Sequence, residues 1–150
     1  MTRAGGDSTL EGKPMTDRLV LQLRARPADV AHARHAVAEY LADHGVSSTV
    51  IDDMELVTSE LVTNAVVHGR QGSIGVEVDA EGEIVVTVSN LGPAQAIPPV
   101  DEWRTVSPQA RSGRGLGIVR RLCDAVAVLE IDKSTVVVGR RRLPDAGGAR

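Results

Sequence analysis

The spacing of hydrophobic residues in the first half of the chain predicts one strand followed by two helices. From Arg18 to Leu23, leucine occupies every second position, which is typical of a strand and suits the edge of a sheet. A helix is predicted from Ala28 to His44, because Pro27 suits a helix start and Gly45 suits a helix end. From Ser48 to Gly69, hydrophobic residues recur at steps of three and four, which predicts a second helix. Its hydrophobic stripe consists of Val50, Met54, Val57, Leu61 and Ala65.

The second half of the chain changes to the spacing of two that is typical of strands. A hairpin is predicted with strands at 74–78 and 84–89 and a turn at 80–83. A long loop from Asn90 to Ser112 follows, and after a glycine-rich stretch a helix begins at Ile118. Two further strands, at 125–131 and 135–140, are joined by a turn. This order predicts an α+β fold, a two-layer α/β sandwich whose mostly antiparallel sheet has its helices on one face.

Three polar residues, Glu60, Asn64 and His68, recur at four-residue steps beside the hydrophobic stripe of the second helix. An asparagine side-chain oxygen suits Mg²⁺, which prefers oxygen ligands and often bridges substrate phosphates. A glutamate one turn earlier can accept a proton from a hydroxyl group or from water. The alternative is a solvated or capped polar face, and a histidine in a last helical turn can simply interact with the helix dipole. The hydrophobic neighbours favour a pocket wall that contains Glu60 and Asn64.

The composition narrows the class of protein. A length of 150 residues predicts one domain, expected at 18–142 between a disordered leader at 1–17 and a flexible tail at 143–150. The net charge of −3 argues against a general nucleic-acid-binding protein. No hydrophobic run approaches the length of a membrane span, and the single cysteine, Cys123, fits a reducing cytosol. We therefore expect a cytoplasmic location, with no direct contact to nucleic acid or membrane.

Two further segments have residue types that suit a nucleotide pocket. In SGRGLGIV, at 112–119, alternating glycines let backbone N–H groups approach a phosphate chain, although a glycine-rich hinge is the alternative. In VTVSNLGPA, at 86–94, a short polar residue at a strand end precedes a glycine and can address the edge of a planar ligand. An ordinary turn is the alternative there.

Together these segments resemble the motifs of a known family. ELVTNAVVHG, at 60–69, looks like the N box, SNLGP, at 89–93, like the first glycine box, and SGRGLGIV like the second. These are the boxes of the Bergerat-type ATP-binding fold, which histidine kinases, gyrase, heat-shock chaperones and mismatch-repair ATPases share. The chain is most similar to the small stand-alone branch, the anti-sigma-factor serine kinases of actinobacterial type, and the resemblance covers about residues 18–142.

The resemblance implies a role for each matching residue. Asn64 would ligate the Mg²⁺ that bridges the phosphates of ATP, and Glu60 would be the general base for a serine hydroxyl group of a partner protein. Thr135 would help to hold the adenine, and the loop from Pro93 to Ser112 would be the ATP lid. The glycine boxes would supply the remaining cofactor-binding residues, which are Gly92, Gly113, Arg114, Gly115, Leu116 and Gly117.

One position departs from the family pattern, because Asn90 stands where the family normally has an aspartate that accepts a hydrogen bond from the adenine amino group. An amide oxygen can still accept that bond, but the loss of charge weakens it. The amide NH₂ group can also meet another donor and remain unsatisfied. We therefore expect Asn90 to bind adenine while weakening ATP binding by roughly ten- to a hundredfold.

Two functions follow from these residues. The first is an ATP- and Mg²⁺-dependent serine/threonine kinase that phosphorylates a STAS-type anti-anti-sigma partner and sequesters a sigma factor. The alternative, favoured by Asn90, is a non-catalytic protein-interaction switch of the same fold, either nucleotide-sensing or nucleotide-independent. The predicted edge strand at 18–23 permits a homodimer. Trp103, in the long loop, is the candidate for a large exposed aromatic residue and for a partner contact.

Overall fold

A computed structural model describes residues 17–68, 72–91, 97–103 and 111–144. The described part contains five strands, three α-helices and a short 3₁₀ turn. In chain order these elements are β1 (Leu19–Arg24), α1 (Pro27–Asp43), α2 (Ser48–His68), β2 (Ser73–Asp79), β3 (Glu83–Leu91), the 3₁₀ turn (Val100–Glu102), α3 (Arg111–Leu122), β4 (Ala125–Ile131) and β5 (Ser134–Arg142). All of them lie within the predicted domain at 18–142.

The five strands form one antiparallel sheet in the order β1-β2-β3-β5-β4. Two hairpins, β2–β3 and β4–β5, are joined because β5 pairs with β3, and β1 adds to the free edge of β2. The β4–β5 turn has positive φ at both central residues, 52° at Asp132 and 69° at Lys133. Two-residue turns of this kind match the twist of the strands that they join. The predicted α+β sandwich is therefore confirmed.

The core lies between the sheet and the helix layer. The predicted hydrophobic stripe of α2 is buried, and Met54 and Val57 in it have no exposed surface. Alternate residues of β2 and β3 complete the core from the sheet side. Since the sequence contains no phenylalanine, valine, leucine, isoleucine and methionine supply most of the buried volume.

The ends of the first two helices follow local sequence signals. Pro27 occupies the first turn of α1, where its missing N–H group costs nothing. After α1, Gly45 has a φ of 76°, a left-handed conformation that glycine adopts without strain. The Ser47 hydroxyl oxygen accepts a 3.4 Å hydrogen bond from the backbone N–H of Val50 at the start of α2.

The third helix differs from the prediction. It begins at Arg111, not at Ile118, so the glycine-rich stretch is helical. Glycine costs about 1 kcal/mol relative to alanine inside a helix, which is why the sequence favours a loop there. Burial of Leu116 and Val119 and the packing of α3 against α2 override that local preference.

The expected exposure of Trp103 is wrong. Its side chain is only 2% exposed, and its indole N–H donates a 2.8 Å hydrogen bond to the Pro98 carbonyl oxygen. The residue follows the 3₁₀ turn, within the predicted long loop, and packs into the core instead of facing a partner. Hydrophobic residues in the loop around Trp103 have no regular spacing, so the sequence alone does not indicate whether this side chain is buried.

Candidate functional site

Glu60 lies in the C-terminal half of α2 and is partly buried. Burial raises the pKa of its carboxyl group, because removing water disfavours the charged form. A raised carboxyl pKa brings a general base closer to neutral pH, where it can both accept and release a proton. The prediction that this residue is shielded, and not on a solvated face, agrees with its position.

Asn64 follows one turn later and is only 8% exposed. A buried amide costs free energy unless a ligand, metal ion or water satisfies it. Its amide oxygen is of the hard type that Mg²⁺ prefers, so Asn64 is the residue that would hold such an ion here.

The glycine segment meets Glu60 directly. A methyl group built on Gly115 would overlap Oε1 of Glu60 and lie 3.1 Å from its Cδ. A side chain at this position would displace the Glu60 carboxyl group, so α3 lies directly against the candidate base. The sequence contains both residues, but no spacing along the chain reveals that they touch.

The other candidate residues of α3 have different surroundings. Leu116 is 1% exposed and lies in the hydrophobic core, and Gly117 is also buried. Gly113 and Arg114 lie near the start of α3, but the arginine side chain falls outside the described part. A nucleotide-binding role for these four residues stays a prediction.

Asn90 on β3 and Thr135 on β5 lie directly opposite each other, because these adjacent antiparallel strands pair the two residues in register. Thr135 is 3% exposed. Asn90 alternates with the buried residues Ile84, Val86 and Val88, so it belongs to the helix-covered face of the sheet. The structure thus brings together the two residues that are predicted to hold the adenine.

Some predicted features lie outside the described residues. They are Gly92, the side chain of His68, and the parts of the predicted ATP lid at 93–96 and 104–110. Within the lid, residues 97–103 are described, and they pack against α3 and β4. Arg120 on α3 contacts this segment, and neither its residue type nor its position in the sequence indicates that contact.

Other chemistries have less support in the described part of the chain. No group of three or more His, Cys, Asp or Glu residues among the described ones could hold a metal ion. Burial raises the pKa of the Cys123 thiol to about 11, so it stays protonated and unreactive at neutral pH. No helix within the described ranges has the length and hydrophobicity needed to cross a membrane.

The chain belongs to the histidine kinase-like ATPase domain family, whose model matches residues 23–139. This match confirms the resemblance that the three sequence boxes indicate. The chain is 33% identical over 134 residues to the anti-sigma F factor of Geobacillus stearothermophilus, an alignment that covers 82% of this chain and 90% of that protein. It is 28% identical over 136 residues to the serine-protein kinase RsbW of Listeria monocytogenes, with 83% of this chain and 87% of that protein covered.

A solved structure has the same fold. It contains the RsbU and RsbW domains of a Mycobacterium tuberculosis protein, and it superposes with a TM-score of 0.64 at 22% identity. The match covers 84% of this chain and 32% of that chain. This likeness extends to the fold alone.

Proposed function

We propose that this protein is an ATP- and Mg²⁺-dependent anti-sigma-factor kinase, which phosphorylates a serine or threonine of a STAS-type anti-anti-sigma protein and sequesters a sigma factor. The observation that carries the proposal is the contact between Glu60 on α2 and Gly115 on α3. It places the candidate base against α3, whose first turn at 111–114 leaves backbone N–H groups without partners in the helix, as at helix ends that bind phosphates. Similarity to an anti-sigma factor and to a serine-protein kinase supports both halves of the proposal.

Each residue has a defined task in this proposal. Glu60 accepts the proton of the substrate hydroxyl group, and its raised pKa suits that exchange. Asn64 holds Mg²⁺ through its amide oxygen, and Asn90 and Thr135 hold the adenine ring. Gly92, Gly113, Arg114, Gly115, Leu116 and Gly117 belong to the segments that bind the rest of the nucleotide. Bound Mg·ATP supplies the phosphoryl group and the positive charge that stabilises its transfer.

A non-catalytic switch of the same fold is the second candidate function, and Asn90 is the residue that favours it. A neutral amide in place of a carboxylate weakens recognition of the adenine amino group. A protein with this site can still bind its partners without turning over ATP. The two functions therefore differ in phosphotransfer and share the interaction with the anti-anti-sigma protein.

Phosphotransfer tests the proposal. The protein is incubated with γ-labelled ATP, Mg²⁺ and a STAS-domain protein from the same genome, and calorimetry measures ATP binding in parallel. We expect label on the STAS protein, no Mg²⁺-dependent ATP binding by Asn64→Ala, and normal binding without transfer by Glu60→Gln. Glu55→Gln, which removes a carboxylate from the same helix, is the control and should retain transfer.

Three outcomes separate the candidate functions. Transfer by the wild type that Glu60→Gln lacks supports the kinase. Binding of the STAS protein without any transfer supports the switch. Absence of ATP binding in the wild type contradicts an ATP-dependent function of either kind.

We further propose that the protein acts in the cytoplasm, because a sigma factor works there on RNA polymerase, and that it forms a homodimer. β1 lies at the edge of the sheet, and Val20 in it is 55% exposed. An edge strand can pair with the same strand of a second copy. Sedimentation equilibrium tests the homodimer, and a monomeric mass at micromolar concentration would contradict it.

A further inference from the structure

Arg120 connects the segment at 97–103 to α3 through hydrogen bonds. Its Nη1 atom donates hydrogen bonds of 3.2 Å to the Val100 carbonyl oxygen and 3.1 Å to the Asp101 carbonyl oxygen. The Val100 carbonyl oxygen also accepts a 3.0 Å hydrogen bond from the backbone N–H of Trp103. One guanidinium group therefore holds the same turn that positions the tryptophan.

The other side of this segment is hydrophobic. Ile97 and Trp103, at its two ends, are 8% and 2% exposed and pack into the core. The indole N–H of Trp103 bonds back to Pro98 within the segment. Residues 97–103 are thus attached through the buried side chains of Ile97 and Trp103 and through the Arg120 guanidinium group.

The same helix carries the contact with the candidate base. Gly115, which leaves room for the Glu60 carboxyl group, precedes Arg120 by five residues in α3. Five residues of helix span about 7.5 Å. A helix moves as a unit over such a short distance, so the attachment at Arg120 contributes to the position of the glycine end, together with the packing of α3 on α2.

We infer that Arg120 is a positioning residue that couples the segment at 97–103 to the glycine end of α3, so that burial of Trp103 and binding of the ATP phosphates support each other. The inference rests on the proposed ATP site. Arg120 acts through α3 and does not itself touch the nucleotide. If the anchor keeps α3 in its binding-competent position, its loss lowers the competent fraction and raises the apparent Kd.

The coupling is measurable because Trp103 is the only tryptophan of the chain. We would record its emission maximum and acrylamide quenching in wild type, Arg120→Ala and Arg121→Ala, each with and without Mg·ATP. Arg121 is the matched control, because it is the next residue in the last turn of α3 and is also exposed. Calorimetry gives the Kd for Mg·ATP, and far-UV circular dichroism verifies that each variant is folded.

We expect Arg120→Ala to shift the emission of Trp103 to longer wavelength, and to raise the Kd for Mg·ATP about two- to tenfold, the range that a lost hydrogen bond covers. Saturating Mg·ATP should restore part of the protection of Trp103, because coupling between two sites is reciprocal. Arg121→Ala should match the wild type. Arg120→Lys, which keeps a charged donor, should show a smaller rise in Kd.

Two results would overturn the coupling. One is an exposed Trp103 in Arg120→Ala with an unchanged Kd and no protection by Mg·ATP, which would make the anchor purely structural. The other is an unchanged Trp103 emission in Arg120→Ala. Absence of Mg·ATP binding in the wild type would overturn the proposed ATP function and the coupling with it, and the calorimetry of the wild type distinguishes this case.

Discussion

The carboxyl group of Glu60 is partly buried in the protein. Its raised pKa has two consequences with opposite signs. A general base works in its deprotonated form, so phosphotransfer should increase as pH rises through the pKa of Glu60. The folded state, however, holds the proton more tightly than the unfolded chain does, so the contribution of this group to stability falls over the same range.

The first prediction is therefore a pH dependence. The acidic limb of the single-turnover rate should lie above the ordinary range of a glutamate, and Glu60→Gln should remove the transfer. In the wild type, the free energy of unfolding should decrease as pH rises from the unfolded to the folded pKa of Glu60. Glu60→Gln should not show this decrease, and chemical denaturation across that pH range measures it. A rate that is independent of pH in this range would contradict the role of Glu60 as the base.

Gly115 gives a second prediction, in which stability and activity change in opposite directions. Gly115→Ala places a methyl group against the Glu60 carboxyl group, and the flexible end of that side chain must move. The alanine should stabilise α3 by about 0.5–1 kcal/mol, the usual difference from glycine inside a helix. Displacement of the base should reduce phosphotransfer, so thermal unfolding should occur at a higher temperature while the labelled product decreases.

Asn90 gives a third prediction. Asn90→Asp restores a charged acceptor on the helix-covered face of the sheet, opposite Thr135. We expect the Kd for ATP, measured by calorimetry, to fall by roughly ten- to a hundredfold, on the scale of one charge-assisted hydrogen bond. Equal affinities of the two proteins would show that the amide does not limit adenine recognition.

At the scale of elements, Arg141 on β5 holds the C-terminal end of α3. Its guanidinium group donates a 2.9 Å hydrogen bond to the Leu122 carbonyl oxygen and lies 2.9 Å from the Asp53 carboxylate on α2. A cation at a helix C-terminus satisfies a carbonyl group that has no partner within the helix. One side chain thus connects a strand with both helices that carry the candidate site.

The fourth prediction compares two neighbouring arginines of β5. Arg141→Ala should lower the free energy of unfolding by about 1–2 kcal/mol, because it removes a helix cap and an ion pair that is only partly exposed. Arg140 pairs with Glu83 at 2.8 Å, but its side chain is 49% exposed, so Arg140→Ala should cost less than about 1 kcal/mol. Urea denaturation measures both values, and equal costs would contradict the special role of Arg141.

At the scale of the whole molecule, the core depends on small aliphatic side chains and one central methionine. Met54 is fully buried between the sheet and the helix layer, whereas Leu56, two residues later in α2, is 42% exposed. The pair allows a comparison of buried and exposed positions within a single turn of one helix.

The fifth prediction follows from this comparison. Met54→Ala should lower the free energy of unfolding by about 2–5 kcal/mol, since it removes buried side-chain atoms and leaves a cavity. Leu56→Ala should cost less than about 1 kcal/mol, because its side chain is already half in water. Denaturant unfolding of the two variants measures the difference, and similar costs would contradict the assignment of Met54 to the core.

The sequence by itself determined most of the architecture. Spacings of two and of three to four, together with Pro27, Gly45 and the two turns, predicted the five strands of the described part and its first two helices, because these signals act over a few residues. The hydrophobic stripe of α2 and the three boxes also predicted the family and the location of Glu60 and Asn64 on one helix. Such features need only local chain geometry and one buried face.

Only the tertiary structure decided how distant segments meet. The glycine stretch is helical because α3 packs against α2, against the local preference of glycine. Trp103 is buried, although it lies in a loop. Arg120 donates hydrogen bonds to a turn about twenty residues earlier in the chain. The approach of Gly115 to Glu60 likewise joins residues that are 55 positions apart. Contacts of this kind depend on how complete helices and strands pack together. The spacing of residues within one helix or strand does not predict that packing.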